Sequence, residues 1–495
     1  MTDYNFFKTN WPLCKQQLKE INWATLFTEP NVNSNWDTFY LQLTNAISKY
    51  TPKKRRKNKP YPVYFGKDTI HLMKRKGKIR KKYLKTKDKS DLEQYSVLRK
   101  KVKVNIKNGK KNYLKEMYAD LRNNNTKPFW KYVRNLRTTN TTNILIKNDK
   151  QLLKNDEQAQ TFNDYFASVY RNMNSVDIHQ TIQSDQIVIN HETLSNCQVT
   201  RQEVCMSLLT IKTDKAKGPD NIPPIFFKHC AWELSHPLTI LFNQSLRQGI
   251  FPKALKLANI SPIFKKREKT NVENYRPISL LSYPAKLFES LVHKQIYKHV
   301  NKYISPTQHG FCEGKSTNTN LCSFCDYVTQ TIEEGCRVDV IYTDFSKAFD
   351  SVTHEFLVHK LSSLGIHGNL LSWCKSYLHG RTQQVIYNGG YSKHANVTSG
   401  VPQGSSLGPL FFIIFINDLA LKLTELGVIH LFYADDLKLF FKIKSPEDHS
   451  KLQNGIDCLF KWCKSWGLTL NLGKCQVMTF HSYRNINPSY TIATP

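Results

Sequence analysis

Three aspartates in the second half of the chain stand at the ends of apolar segments. Asp344 ends the segment Val338–Thr343 and precedes a helical pattern. A carboxylate there either faces a cleft or caps the next helix, and the cap is the commoner role of a lone Asp. Asp435 and Asp436 join two apolar segments. This pattern predicts a β-hairpin with two carboxylates at its tip, or an ordinary turn.

Three carboxylates brought together would suit metal-dependent chemistry. Adjacent carboxylates repel each other and raise one another's pKa, and a divalent cation removes that cost. Mg²⁺ prefers carboxylate oxygens and bridges substrate phosphates. Two such ions about 3.5–4 Å apart can clamp the attacking and leaving oxygens of a phosphoryl displacement. Asp344, Asp435 and Asp436 therefore predict a two-metal phosphoryl-transfer site.

The charge of the chain points to a polyanionic partner. Its 495 residues carry 71 Lys and Arg against 39 Asp and Glu, a net charge of +32. Residues 51–120 alone hold 25 basic and 6 acidic residues. This excess favours nucleic acid over an anionic membrane, although a charge run is most often a solvated helical face. The segment's first basic cluster predicts nucleic-acid contact or a nuclear localisation signal: Lys53, Lys54, Arg55, Arg56 and Lys57.

The pattern of apolar residues predicts where helices and strands lie. One or two long basic helices are expected over 67–122, and the Asn-rich stretch 123–160 is expected to be a linker. Further helices are expected over 157–173 and 200–209. From residue 258 onward, apolar β-rich runs alternate with helical patterns, which is typical of an α/β or α+β domain. The predicted strands are 260–264, 338–343, 384–387 and 428–434.

Composition also limits the classes of protein. The apolar run Pro409–Ile416 stops at Asn417 and Asp418, short of the roughly 20 residues that cross a bilayer. The N-terminus lacks the pattern of a secretory signal, so the twelve scattered cysteines are expected to be reduced. For the pair Cys322 and Cys325, burial as small apolar residues is favoured over a zinc site.

A set of motifs in one order identifies a family resemblance. The motifs are Lys217–Pro223, Asn274–Ser279, Gly310–Phe311, Tyr342–Asp350, Gly400–Gly404, Tyr433–Asp436 and Leu470–Lys474. Through them the chain resembles the reverse transcriptases of non-LTR (LINE-type) retrotransposons, with a jockey-like character. The resemblance implies an α+β fold of the right-hand polymerase type, with fingers and palm. A basic, mainly helical N-terminal region would precede it, and the thumb would be largely missing.

The resemblance also implies roles for individual residues. Catalytic roles fall on Asp344, Asp435, Asp436 and Lys474. The three aspartates and the backbone carbonyl of Phe345 would bind two Mg²⁺ ions, for which Mn²⁺ substitutes. Lys474 would protonate the leaving pyrophosphate, or else be a surface lysine.

Four further residues match positions that bind the incoming dNTP. Lys265 and Arg276 would grip its triphosphate, with Lys266 and Arg267 as alternatives to Lys265. The Phe349 ring would lie under the sugar and exclude a 2′-hydroxyl, and Gln403 would face the nascent base pair.

The implied organisation has three parts: a basic helical connector (1–150), a helical N-terminal extension or fingers (151–245) and the reverse transcriptase fingers and palm (246–495). An endonuclease segment of the kind that usually precedes the connector is not expected, so the chain is interpreted as a fragment. The implied partners are an RNA template, a DNA primer or target and dNTPs, with no membrane. Family behaviour implies an intracellular location, in nucleus and cytoplasm.

The implied function is RNA-directed DNA polymerase activity in target-primed reverse transcription. One alternative is a catalytically inactive, nucleic-acid-binding remnant of such an element. An RNA-synthesising polymerase of the same palm type is disfavoured by Phe349, and a nuclease that uses the same metals is the weakest alternative.

Overall fold

The chain forms two compact units. A computed structural model describes residues 4–54, 61–137, 145–147, 150–152, 154–171, 175–184, 192–481 and 489–491. The smaller unit comprises residues 1–3 and 53–144, and the larger unit comprises residues 4–52 and 145–495. Residues 4–52 thus fold with the larger unit. The boundaries at 150 and 245 expected from the sequence stay predictions.

The described residues form helices and strands in the following order. The helices are α1 (Trp11–Glu20), α2 (Trp23–Leu26), α3 (Val32–Tyr50), α4 (Lys67–Thr86), α5 (Lys89–Arg122), α6 (Lys127–Arg137), α7 (Asn155–Ser168), α8 (Ser175–Ser184), α9 (Arg201–Leu209), α10 (Pro224–His229), α11 (Ala231–Gln248), α12 (Tyr283–Val300), α13 (Thr317–Glu333), α14 (Ala348–Ser351), α15 (His354–Ser363), α16 (Gly368–Leu378), α17 (Leu407–Glu425) and α18 (Pro446–Trp466). The strands are β1 (Leu145–Lys147), β2 (Lys150–Leu152), β3 (Leu257–Phe264), β4 (Tyr275–Leu280), β5 (Arg337–Thr343), β6 (Arg381–Tyr387), β7 (Gly390–Tyr391), β8 (Ala395–Val397), β9 (Ile429–Tyr433), β10 (Asp436–Ile443) and β11 (Gln476–Phe480).

The smaller unit is built on a hairpin of two long basic helices, which confirms that prediction. Helix α4 ends at Thr86 and is followed by Lys87, whose φ of 55° is left-handed. The side chain of Asp88 caps α5 by accepting from Ser90 N at 2.9 Å. Along α5 a thin apolar stripe is buried. Helix α6 occupies part of the stretch expected to be a linker, so that expectation was wrong for Lys127–Arg137.

Two β-sheets organise the larger unit. A four-stranded sheet has the order β11-β5-β10-β9, with every pair antiparallel. A five-stranded sheet has the order β4-β3-β6-β7, with β8 also paired to β6, and its β3–β6 pair is parallel. Together with the surrounding helices these sheets confirm the α+β class.

Helix α17 lies at the centre of the core. Its apolar side chains are buried all round, as in other helices enclosed by protein. By length and composition it could cross a membrane, yet most of it is buried inside the larger unit. The helix continues through Asn417 and Asp418, where the apolar run in the sequence stops. Asn417 bonds to Ser305 N and Tyr303 O, so its polar groups are satisfied inside the fold.

Helix α13 covers one face of the four-stranded sheet. Phe324 and Val328 pack there against Val338, Val340 and Phe440. The expected burial of Cys322 and Cys325, which neighbour Phe324 in the chain, was wrong, because both cysteines are exposed. All twelve cysteines are free thiols, as expected.

Candidate active site

Asp344 stands directly after β5, as the sequence predicts. The alternative role of helix cap does not apply, because Lys347 occupies the N-cap position of α14. The side chain of Asp344 is about a quarter exposed and accepts a hydrogen bond from Lys474 Nζ. The carboxylate therefore faces an accessible space beside a cation.

Asp435 and Asp436 stand at the tip of the predicted hairpin. Strands β9 and β10 pair antiparallel, and Tyr433 pairs with Asp436 across a two-residue turn. Ala434, the first turn residue, has a left-handed φ of 57°. A non-glycine residue rarely adopts that conformation unless its surroundings impose it.

Strand pairing brings the three aspartates to one edge of the sheet. Leu437 pairs with Thr343, so the next residues along the two strands, Asp436 and Asp344, meet at that edge. Burial raises the pKa of both Asp435 and Asp436, and repulsion from Asp344 raises each further. Within the described ranges no three His, Cys, Asp or Glu side chains are close enough to enclose a metal ion. The carboxylates interact electrostatically, while Asp344 is paired with Lys474.

The turn that carries Asp435 is held by a segment the sequence analysis did not assign to the site. The Oε1 atom of buried Gln308 accepts from Gly310 N at 2.8 Å and from Ala434 N at 3.0 Å. His309 N donates to Phe432 O at 2.9 Å. Gln308 precedes a motif glycine by two residues, and that position was the only signal for it in the sequence.

A second segment, residues 467–474, lies along Asp344 and is called here the strap. Leu470 bridges to Phe345, Asn471 N donates to Asp344 O at 2.7 Å, and Ser346 N donates to Thr469 O at 2.8 Å. These bonds do not use the carbonyl oxygen of Phe345. The strap also brings Lys474 to Asp344, so the sequence-predicted lysine does reach the aspartates.

Phe349 lies between two aromatic rings near the site. It stacks on Phe412 with ring centroids 4.5 Å apart and meets Phe311 edge-on at 6.3 Å. Its backbone carbonyl accepts from Val401 N at 2.8 Å. Phe349 is only partly buried, so the residue keeps some exposed surface.

The loop Gly400–Gly404 packs on the backbone next to Phe349. Gly400 has a φ of +83°, and a Cβ there would lie 2.7 Å from Asp350 Cα, so only glycine fits. Gln403 Nε2 donates to both carboxylate oxygens of Asp350 at 3.0 Å. Burial raises the pKa of Asp350 to about 6. The side chain of Gln403 is thereby oriented by a residue that sequence reasoning left without a role.

Lys265 and Arg276 extend the positive side of the site. They lie at the end of the β3–β4 pair that is joined by the connecting loop, where Lys265 N donates to Asn274 O at 2.8 Å. Burial lowers the pKa of Lys265, and the charges of Arg276 and Lys474 lower it further. The charges of Lys474 and Lys265 in turn offset part of the rise in the pKa of Asp436 that burial and Asp344 cause. Three cations therefore face the aspartates.

The predicted nucleic-acid contacts lie in the smaller unit. Lys53 and Lys54 are exposed there. Arg55, Arg56 and Lys57 lie outside the described residues. The assignment of these five residues to nucleic-acid binding stays a prediction.

Comparison with known proteins places the site within one matched segment. Residues 264–490 match the family model described as reverse transcriptase (RNA-dependent DNA polymerase). The chain is 27% identical to the "RNA-directed DNA polymerase from mobile element jockey" of Drosophila melanogaster, over 97% of this chain and 53% of the relative. It is 27% identical to the protein of the same description from Drosophila funebris, over 85% and 48%. It is 25% identical to the "Probable RNA-directed DNA polymerase from transposon BS" of Drosophila melanogaster, over 88% and 48%.

The chain spans about half the length of these curated relatives. The resemblance stated from the motifs is confirmed. Asp344, Asp435, Asp436 and Lys474 all fall inside the segment matched by the reverse transcriptase model.

Proposed function

Because the chain carries a reverse transcriptase domain and is homologous to RNA-directed DNA polymerases of non-LTR retrotransposons, we propose that it extends a DNA primer on an RNA template. The observation that carries the proposal is the meeting of Asp344 with the Asp435–Asp436 turn at one sheet edge, opposite three cations. In the reaction the primer 3′-oxygen bonds to the α-phosphorus of a dNTP, and the bond to pyrophosphate breaks.

Asp344, Asp435 and Asp436, with the carbonyl oxygen of Phe345, would hold two Mg²⁺ ions, or Mn²⁺ in their place. The donor set fits these ions, since all its atoms are hard oxygens. Burial, and after it repulsion from Asp344, raises the pKa of Asp435 and of Asp436, and a bound cation would stabilise their charged forms. When bound, the ions would supply charge neutralisation at the reacting phosphate.

The other predicted residues act on the substrate. Lys265 offers a point charge and Arg276 a planar fork, and both suit triphosphate oxygens. Phe349 would meet the sugar with its ring and exclude a 2′-hydroxyl. Gln403, oriented by Asp350, would contact the nascent base pair. Lys474, a cation already placed at Asp344, would donate a proton to the departing pyrophosphate.

In this proposal the four-stranded sheet belongs to the palm, and the β3–β4 pair belongs to the fingers. The basic helices of the smaller unit bind nucleic acid along its phosphates. The relatives' activity suggests target-primed copying of an element's RNA inside the cell, in nucleus or cytoplasm. The alternative is a remnant that binds nucleic acid without catalysis. One observation favours that alternative: Lys474 is paired with an Asp344 carboxylate oxygen, which would otherwise be a metal ligand.

Primer extension on an RNA template with Mg²⁺ and dNTPs tests the proposal. The Asp435→Asn, Asp436→Asn variant should reduce incorporation to background, because it removes two anionic ligands without changing side-chain volume. The matched control is Asp37→Asn, Asp326→Asn, which removes two exposed carboxylates elsewhere in the larger unit and should leave incorporation unchanged. Tight RNA binding by the wild-type chain without incorporation would establish the remnant instead.

A further inference from the structure

Arg171 connects two parts of the site without reaching the reacting groups. It follows α7 and lies far outside the segment matched by the reverse transcriptase model. Its guanidinium donates to Gly467 O through one nitrogen and to Thr469 Oγ1 through the other. Its backbone N donates to Ser399 Oγ at 2.9 Å, and that hydroxyl donates to Asp350 O at 2.8 Å.

The atoms that Arg171 binds are at the start of the strap. Gly467 caps the end of α18 with a left-handed φ of 72°. Two residues after Gly467, Thr469 O accepts a hydrogen bond from Ser346 N. Asn471 N then binds Asp344 O. Arg171 thus adds two side-chain bonds to the start of the strap, and the strap in turn holds the backbone on both sides of Phe345.

We infer that Arg171 is a positioning residue that holds the strap, and through it Asp344 and Lys474, in place for the proposed polymerase reaction. The planar guanidinium suits this role because it makes two directed bonds from a rigid fork. Arg171 also lines an open groove of about 630 Å³ between α8, α15 and α16. Leu468 and Leu470 of the strap are buried in the core, so the hydrogen bonds of Arg171 add to that packing at Gly467 and Thr469.

The inference rests on the proposed function for its kinetic consequence. Displacing a reacting group by about 1 Å can reduce a rate about a hundredfold. Arg171→Met keeps the apolar stem and removes both hydrogen bonds. It should lower kcat for dNTP incorporation about 10- to 100-fold, while KM for dNTP stays within about twofold because Lys265 and Arg276 are unchanged. Arg171→Lys should recover part of the loss, since one donor and the charge remain.

Hydrogen exchange provides a readout that does not require activity. The amides of Ser346 and Asn471 donate into the strap contacts, so both should exchange at least about tenfold faster in Arg171→Met. The His309 amide, which donates to Phe432 O elsewhere at the site, should keep its rate. The matched control is Lys256→Met, which removes another half-buried cation that donates to a backbone carbonyl, His379 O, away from the strap.

The outcomes separate the two proposals. Faster exchange at both amides with a reduced kcat supports the positioning role. Unchanged exchange overturns it whatever the activity, and so does faster exchange with an unchanged kcat. A wild-type chain that incorporates no dNTP would overturn the polymerase proposal, while exchange still decides whether Arg171 holds the strap.

Discussion

Gly310 lies directly against Ala434, the residue that begins the turn carrying Asp435. A Cβ built on Gly310 would be 2.2 Å from Ala434 N and 2.9 Å from Ala434 Cα. Real Cβ atoms do not approach backbone so closely, so only glycine allows the two segments to share the hydrogen bonds of Gln308.

The substitution Gly310→Ala should therefore displace the turn. We expect a loss of incorporation of about a hundredfold or more, because the carboxylates move relative to Asp344. Steady-state primer extension measures this effect, and circular dichroism checks that the fold is retained. The control is Gly77→Ala, where an added Cβ meets nothing within 4 Å. Equal activity of the two variants would contradict the expected role of the close approach.

Phe349 should determine the choice of sugar. Its ring is fixed by stacking on Phe412, so the ring cannot yield easily to a 2′-hydroxyl. Phe349→Val should raise incorporation of NTP relative to dNTP by about tenfold to a hundredfold. Competition between the two nucleotides in primer extension gives this ratio directly. Phe349→Tyr keeps the ring and should keep the preference; a ratio unaffected by Phe349→Val would mean that another residue selects the sugar.

Asp350 should make stability depend on pH. Its pKa in the folded state is about 6, above the ordinary value of about 4, so the folded chain binds more protons than the unfolded chain between those values. Its contribution to the free energy of unfolding therefore falls as pH rises, by about 1 kcal/mol from pH 5 to pH 7. Asp350→Asn, which does not titrate, should remove this part of the pH dependence.

Urea unfolding of wild type and Asp350→Asn at pH 5 and pH 7 measures the effect. The stability of the variant relative to wild type should rise between the two pH values. A relative stability that is constant or falls would show that the Asp350 carboxyl is not the raised group. Glu355→Gln is the control, because its pKa is shifted in the opposite direction.

The aspartates could be found from sequence because their placement is local. A strand that ends at Thr343 and a hairpin with a two-residue turn are both visible in the alternation of apolar residues. Register then follows from the two-residue period of strands, which brings Asp436 opposite Asp344. The family motifs added roles for Lys474, which the fold does bring to Asp344.

Gln308 and Arg171 could not be found in the same way. Gln308 acts on a turn 126 residues later in the chain and Arg171 on a hydroxyl 298 residues later. No periodicity records contacts over such separations. The prediction that Cys322 and Cys325 are buried failed for a related reason. Which side chains of α13 are buried depends on the sheet that the helix covers, and there Phe324 and Val328 pack.

A row of lysines along α5 should carry much of the affinity for nucleic acid. They recur every four residues on the exposed side of the helix, about 6 Å apart along its axis: Lys103, Lys107, Lys111 and Lys115. Like charges at this spacing destabilise a helix. Phosphates of a bound nucleic acid would neutralise the lysines and so relieve their repulsion, and the lysines would release the counterions condensed on the nucleic acid.

Replacing all four lysines of the row with Gln should weaken binding to RNA uniformly across sequences and make it less sensitive to salt. The slope of log K against log salt concentration should become shallower by about 3 to 4, as measured by fluorescence anisotropy over a salt range from about 50 to about 500 mM. The matched control replaces four exposed lysines of the larger unit with Gln: Lys8, Lys19, Lys49 and Lys294. Equal slopes for the two variants would show that RNA binding depends on net charge alone. A steeper slope in the control than in the α5 variant would show that the position of the lysines matters.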